Sequence, residues 1–305
     1  MNVLQLKSRA AAVSVASNAT LVALKLIVGL AIGSVSVISE AIHSGVDLLA
    51  AVIAFVAVRA AGKDADESHP FGHGKFENVS GTVEAGLIFV AAVWIIYEAV
   101  HKLHHPRPVE QLGWGVGVML ISSLANTLVS RMLFKVGVAT DSVALKADAW
   151  HLRTDVYTSG GVMLGLALIV AGGYVFPHTD LQWMDPVAAI CVALLIFRAA
   201  WGLTRDSARD LFDASLPPDE IQWVRNYVAS YEPEVTDCHN LRTRKAGAHR
   251  FIHFDVKAPP DTPIREVHAL SHRMHAGIVD RFPGAQVTIH FDPQGDPDHQ
   301  QGPIA

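Results

Sequence analysis

The chain has 305 residues, 50% of them hydrophobic and only 17% charged, with a mean hydropathy of +0.30 and a formal net charge of -5. That apolarity points to a membrane protein, and the acidic balance, with no basic stripe carrying interleaved aromatics, excludes a nucleic-acid partner. Two cysteines, Cys191 and Cys238, imply no disulfide framework, whereas sixteen histidines, several beside carboxylates, suit a metal-handling chain.

The opening MNVLQLKSRA runs straight into an apolar stretch without a small-residue cleavage site, so no removable signal peptide is expected. Stretches long enough to cross a hydrocarbon core of about 30 Å fall near 10–32, 34–59, 78–102, 112–135, 142–172 and 183–204. Six spans put both termini on one side. Lys7, Arg9, Arg59, Lys63, Lys75, Arg131, Lys135, Lys146, Arg205 and Arg209 gather on that side, against Lys102 and Arg107 on the other. Positive charge concentrates in cytoplasmic loops, so both termini are expected in the cytoplasm and the chain in the inner membrane.

After Leu216-Pro217-Pro218 the pattern becomes that of soluble structure. A helix is predicted over Asp219 to Tyr231, strands over Val235 to Arg244 and Arg250 to Lys257 around a turn at Ala246-Gly247. A helix from Thr262 to Phe282, stopped by Pro283-Gly284, and a strand from Ala285 to Asp292 complete the series. The expected fold is a multi-pass membrane protein of six transmembrane helices with a C-terminal α+β cytoplasmic domain of ferredoxin-like or metallochaperone-like α-β-β-α-β order. The expected boundaries are 1–210 for transport, 211–296 for metal binding and dimerisation, and 297–305 as a disordered tail.

Chemistry concentrates in a repeated pattern, His43-x3-Asp47 and His151-x3-Asp155, inside the second and fifth spans. Residues four apart share a helical face, about 6 Å along the axis. His43 lies nine residues from Ser34, and His151 nine from Ser142 on the opposite face, so both pairs fall roughly 13 Å deep, near the midplane. A single pair is compatible with buried polar packing, but two of equal spacing and depth favour a site. Two imidazoles and two carboxylates suit tetrahedral Zn²⁺, whereas Mg²⁺ and Ca²⁺ prefer oxygen shells. Imidazole binds metal only when deprotonated, so metal and protons compete for this site. Glu40 and Asp148, one turn away, are candidates for supporting partners or wetted helix-end charges, while Asn126, Cys191 and Trp150 read as packing.

Two further clusters stand out. Asp66, His69 and His73 lie within eight residues in the loop after the second span, where either a metal site or a solvated polar loop fits. In the soluble part, alternation puts Phe251, His253 and Asp255 on one strand face and His290 and Asp292 on one face of the last strand. His268, His272 and His275 form a helical stripe able to converge with these and with His239; His253, His272 and His275 read singly as bystanders. His101, His104, His105, His178 and Asp180 read as interfacial polar groups.

At Ser39-Glu40-Ala41-Ile42-His43-Ser44-Gly45-Val46-Asp47, His69-Pro70-Phe71-Gly72-His73-Gly74-Lys75 and Asp148-Ala149-Trp150-His151-Leu152-Arg153-Thr154-Asp155, the chain resembles the cation diffusion facilitator family, specifically its bacterial zinc/proton antiporter branch. The resemblance implies a Y-shaped homodimer and a transport site formed by His43, Asp47, His151 and Asp155. His43 resembles the zinc-selective members, where others carry Asp. It also implies a loop site of Asp66, His69 and His73, and a cytoplasmic-domain site of His239, Asp255, His268, His290 and Asp292. Asp255 departs from the His of well-described members, and His253 is a possible substitute. A charge interlock of Lys75 with Asp213 is implied as well.

The expected function is therefore secondary active export of Zn²⁺ from the cytoplasm against protons, with zinc both transported and regulatory and no covalent catalysis. The rivals are an exporter whose main substrate is Cd²⁺, Co²⁺, Fe²⁺, Ni²⁺ or Mn²⁺, a membrane-anchored metal sensor, or a channel. An anchor has no need for Asp47 and Asp155 inside lipid, and tight tetrahedral ligation slows release from a channel.

Overall fold

A computed structural model of the chain describes residues 2–32, 35–104, 113–175 and 183–295. His105, Pro106, Arg107, His178, Asp180, Ser34 and the 297–305 tail lie outside the described residues, as do the side chains of Glu40 and Lys102. The chain divides into two compact units, Met1–Leu211 and Phe212–Ala305.

The first unit is six long helices: α1 Val3–Ile32, α2 Val35–Ala61, α3 Lys75–His104, α4 Gly113–Ala139, α5 Val143–Val175 and α6 Met184–Leu211. At about 1.5 Å per residue even the shortest, 27 residues, exceeds the thickness of a bilayer core. Among the described residues, Val3–Ala31, Ala41–Ala61, Lys75–His101 and Pro186–Leu211 are long and apolar enough by themselves to cross a membrane. α6 runs seven residues past the apolar stretch predicted to end at 204. Hydropathy marks where the bilayer ends; the helix continues because its last turns still pack on α3, Ser207 against Gly81, and Asp210 accepts a hydrogen bond from Asn78.

Small side chains let these helices approach closely, which is how helices associate where lipid supplies no hydrophobic drive. Ala10, Ala11, Ala144 and Ala149 pack around Val58, Leu133, Leu145 and Leu152, joining α1, α2, α4 and α5. Ala85, Ala92, Ala147 and Ala200 do the same around Ile88 and Ile196, joining α3, α5 and α6. Large apolar groups face outward instead, among them Ile27, Ile42, Val90, Trp94, Leu124 and Leu195. In water such a surface would aggregate; against lipid it is the stable arrangement.

The second unit runs α7 Pro218–Ala229, β1 Thr236–Ala246, β2 His249–Ala258, α8 Ile264–Arg281 and β3 Gln286–Pro293. The sheet order is β1-β2-β3, with β1 antiparallel and β3 parallel to the central strand. Pro218 starts α7 with a fixed helical φ, and Asp219 and Glu220 meet the positive end of its dipole. Ile252, Phe254 and Val256 alternate into a core closed by Leu270, Met274 and Ile278 of α8. Glu220 accepts two hydrogen bonds from Arg250, at 2.8 and 2.7 Å, pinning α7 to β2. A Cβ on Gly277 would lie 1.8 Å from the Tyr227 hydroxyl, so α8 passes α7 only because that residue is glycine.

Candidate metal centres

The membrane cluster is built by two helices that touch. His43 and Asp47 come from one face of α2 and Asp155 from α5, and one potential ligand atom from each lies within 4.8 Å of the others. His151 joins through Asp47, its Nε2 lying 3.2 Å from the Asp47 Oδ1. Ligand atoms around a tetrahedral zinc at about 2.0–2.2 Å sit roughly 3.4 Å apart, so small side-chain movements bring this set to that spacing. Asp47 and His151 are buried, Asp155 is half-buried and His43 is exposed, so the ligands are graded from the packed interior outward.

A cavity of about 140 Å³ opens on these groups, lined by Asn18, Lys25, His43, Asp47, Asn126 and Asp155 among others. Its walls are polar, with Ser44, Ser122, Ser123, Thr158 and Ser159 also present. Buried polar atoms of Asn18, Ser122, Ser123 and Asn126 lack a protein partner. Such atoms are costly unless something hydrated or charged meets them, which fits a hydrated chamber better than packing. The Asn126 amide donates to Asp155 Oδ2 at 3.5 Å, so the residue that read as packing supports a candidate ligand.

Three charged features escaped the sequence reading. Lys25, in the C-terminal third of α1, is buried and donates to the Ser44 hydroxyl at 2.8 Å. Glu84 of α3 is fully buried, with the Ser80 hydroxyl donating to it at 3.3 Å. Lys7 of α1 pairs with Glu77 of α3 at 2.8 Å, and Ser142 donates to the other Glu77 oxygen at 2.5 Å. Asp148 is fully buried rather than a wetted helix-end charge. A charge inside an otherwise apolar run was the available signal for Lys25 and Glu84.

The loop cluster is local. Ser68 N–H, the Ser68 hydroxyl and His69 N–H all donate to Asp66 Oδ1, at 3.0, 2.7 and 2.7 Å. These bonds, the Ser68 hydroxyl foremost, hold the Asp66 carboxyl down at about 2, so it is a carboxylate throughout the physiological range. His69 Nδ1 lies 3.5 Å and His73 Nε2 3.4 Å from it, with the two rings 4.3 Å apart. Gly72, at φ +81°, supplies the left-handed turn that brings His73 back beneath His69.

The third cluster is a row across the sheet. His239 of β1 pairs in register with Asp255 of β2, which pairs with His290 of β3. His239, Asp255 and Asp292 present ligand atoms within 4.8 Å of one another. β1 is irregular on both sides of His239, with positive φ at Asp237 and Asn240, and this turns His239 Nε2 to 3.4 Å from Asp292. Asn240 donates to Asp255 at 2.7 Å and His290 lies 3.0 Å from Asp292. His253 reaches Asp255 at 3.5 Å but is half exposed. His268 is outside the triad, its ring 4.5 Å from that of His272. Lys75 donates to the Leu211 carbonyl at 3.4 Å within the first unit, and Asp213 pairs with Arg244 at 3.4 Å within the second.

The family profile described as the cation efflux transmembrane domain matches residues 11–212, and that of the cation efflux protein's cytoplasmic domain matches residues 216–294. The uncharacterized transporter sll1263 of Synechocystis is 37% identical over 89% of this chain and 85% of its own. The cation-efflux pump FieF of Salmonella newport is 29% identical over 95% of this chain and 93% of its own. A solved structure of the zinc transporter CzrB in its zinc form is 33% identical, covering 27% of this chain and 94% of that one, with a TM-score of 0.26. The chain belongs to the cation efflux family of membrane transporters, the cation diffusion facilitators.

Proposed function

We propose that this transporter exports Zn²⁺ from the cytoplasm in exchange for protons, from a site made by His43, Asp47, His151 and Asp155. One observation carries the reading: three of these groups offer ligand atoms within 4.8 Å beside a polar cavity inside an apolar bundle, with the fourth 3.2 Å from Asp47. The donor set favours zinc among divalent ions, because two imidazoles bind it well and two carboxylates neutralise its charge.

Antiport follows from shared atoms. Imidazole nitrogen holds either a metal or a proton, so a site that faces each side in turn carries metal one way and protons the other. Both termini lie in the cytoplasm in this reading, and the chain works as a homodimer joined through the second unit. Zinc held by His239, Asp255 and Asp292, with His290 alongside, tightens that dimer when cytoplasmic zinc rises. His253, 3.5 Å from Asp255, and His268 are the remaining candidates for this regulatory site.

Reconstituted vesicles test the proposal. Zinc uptake driven by an imposed proton gradient and abolished by Asp47→Ala is expected; uptake indifferent to the gradient, or surviving that substitution, refutes it. Parallel assays with Cd²⁺, Co²⁺, Fe²⁺, Mn²⁺ and Ni²⁺ rank the substrates.

A further inference from the structure

The cavity that holds the candidate ligands also holds a lysine. Lys25 lines it together with His43, Asp47 and Asp155, and its ammonium is anchored at 2.8 Å to Ser44, the residue next to His43. Only 5% of Lys25 is exposed. Burying a charge at this depth in an apolar bundle is costly, and such residues are kept for what they do to an ion or partner. An ammonium has three donors and no acceptor, so it cannot ligate a cation. Nor is it the sole tie between these helices, since α1 also packs on α2, α4 and α5 through Ala10 and Ala11.

Resting on the transport-site reading, we propose that Lys25 is an affinity-setting residue: a fixed positive charge that weakens cation binding enough for the cargo to leave. Asp47 and Asp155 attract a divalent ion strongly in a medium of low dielectric, and a trap of that kind binds but does not turn over. One like charge across the same small chamber opposes a doubly charged ion. At an effective dielectric of about 20 and separations of several ångströms, this exceeds a tenfold effect on affinity. The lysine also has a use once the ion departs. Its flexible four-carbon stem lets the ammonium lean toward the carboxylates and offset charge that would otherwise be left uncompensated. A subtraction of this kind falls on every divalent ion. Mg²⁺, which gains little from imidazole, is thereby pushed below useful affinity, while zinc keeps its nitrogen ligands.

The test measures zinc affinity by competition with a fluorescent chelator. It uses the full-length protein carrying Asp66→Ala and His239→Ala, so that the loop and sheet clusters are silent. Lys25→Met is expected to tighten zinc binding at least about tenfold, to slow saturated transport in vesicles, and to let millimolar Mg²⁺ compete. Lys25→Arg, which keeps the charge, is expected to stay within about threefold of the parent. Ser44→Ala removes the hydrogen bond but not the charge and is expected to change affinity little. Unchanged or weaker zinc binding in Lys25→Met overturns the proposal, as does a Ser44→Ala variant that matches it. If Lys25→Met does not give a monodisperse protein, Lys25→Gln serves, with the same expected tightening and the same refuting result. Asp47→Ala in the same background separates the two readings: if it binds zinc like the parent, the transport site itself is wrongly placed.

Discussion

Two clusters in this chain offer the same donors, one imidazole and two carboxylates within 4.8 Å, yet they are built differently. His43, Asp47 and Asp155 come from two helices that meet only through side chains, whereas His239, Asp255 and Asp292 come from three neighbouring strands of one hydrogen-bonded sheet. A small slide or rotation of α2 against α5 pulls the first set apart without breaking a backbone hydrogen bond. Separating the second set means breaking the sheet. The membrane cluster is thus suited to letting an ion go and the sheet cluster to keeping one, although their donors are alike.

Removing the shared carboxylate should break the membrane side of that contrast most severely. Asp47→Ala deletes a candidate ligand and also the group 3.2 Å from His151. Losing an outer-shell partner alone typically costs about 10–100-fold in metal affinity, so zinc transport in vesicles is expected to fall at least about 100-fold.

The helical framework should respond next. Glu77→Ala leaves the Lys7 ammonium, only 7% exposed, without the carboxylate 2.8 Å away and deprives Ser142 of its acceptor. Breaking a buried pair from one side costs about 3–5 kcal/mol. A large drop in the thermal midpoint of the detergent-solubilised protein is expected, and an unchanged midpoint would show that the α1–α3–α5 junction is not a fixed point of the bundle. The double change Lys7→Met with Glu77→Leu should recover most of the loss, since no charge is then left buried alone.

The sheet cluster predicts a separation of binding from transport. Asp255→Ala removes a ligand and the acceptor of the Asn240 hydrogen bond, so zinc binding at this cluster in the full-length protein is expected to weaken about 10–100-fold. Proton-driven zinc uptake at saturating zinc should nevertheless persist. Asp255→His, which keeps a ligand atom at that position, is expected to retain binding. Loss of transport in step with binding would mean that the sheet cluster lies on the ion's route.

The paired His-x3-Asp motifs were legible because a period of four on a helix fixes which side chains share a face, and the same logic of two placed Asp255 on its strand face. Lys25 was passed over although a lone charge in an apolar run marks it, because a hydropathy window spanning the second half of α1 averages that charge away. Asn126 read as packing because small polar groups look alike whether they line a cavity or a helix seam. The Lys7–Glu77 pair joins residues 70 apart, and no local pattern encodes a contact of that range. The irregular β1 was hidden for a related reason, since the turns that aim His239 depend on positive φ at Asp237 and Asn240, which are conformations rather than residue types.

The smallest expected effect concerns the loop cluster, which belongs to neither extreme because a single stretch of chain supplies all its donors. Ser68→Ala removes the hydroxyl that does most to hold the Asp66 carboxyl at about 2. The shift has a definite sign. Hydrogen bonds to the ionised form stabilise it, so deleting one raises the carboxyl toward its ordinary value near 3.9. Even there Asp66 remains ionised at pH 7, so neutral-pH zinc binding by the full-length protein is expected to change by no more than about twofold. Between pH 8 and 5 the binding curve of Ser68→Ala should overlay the parent's, because Asp66 stays ionised across that range in both. If the two curves separate in that range, Ser68 does more than polarise a carboxylate, and the turn it builds is what holds His69 and His73 in place.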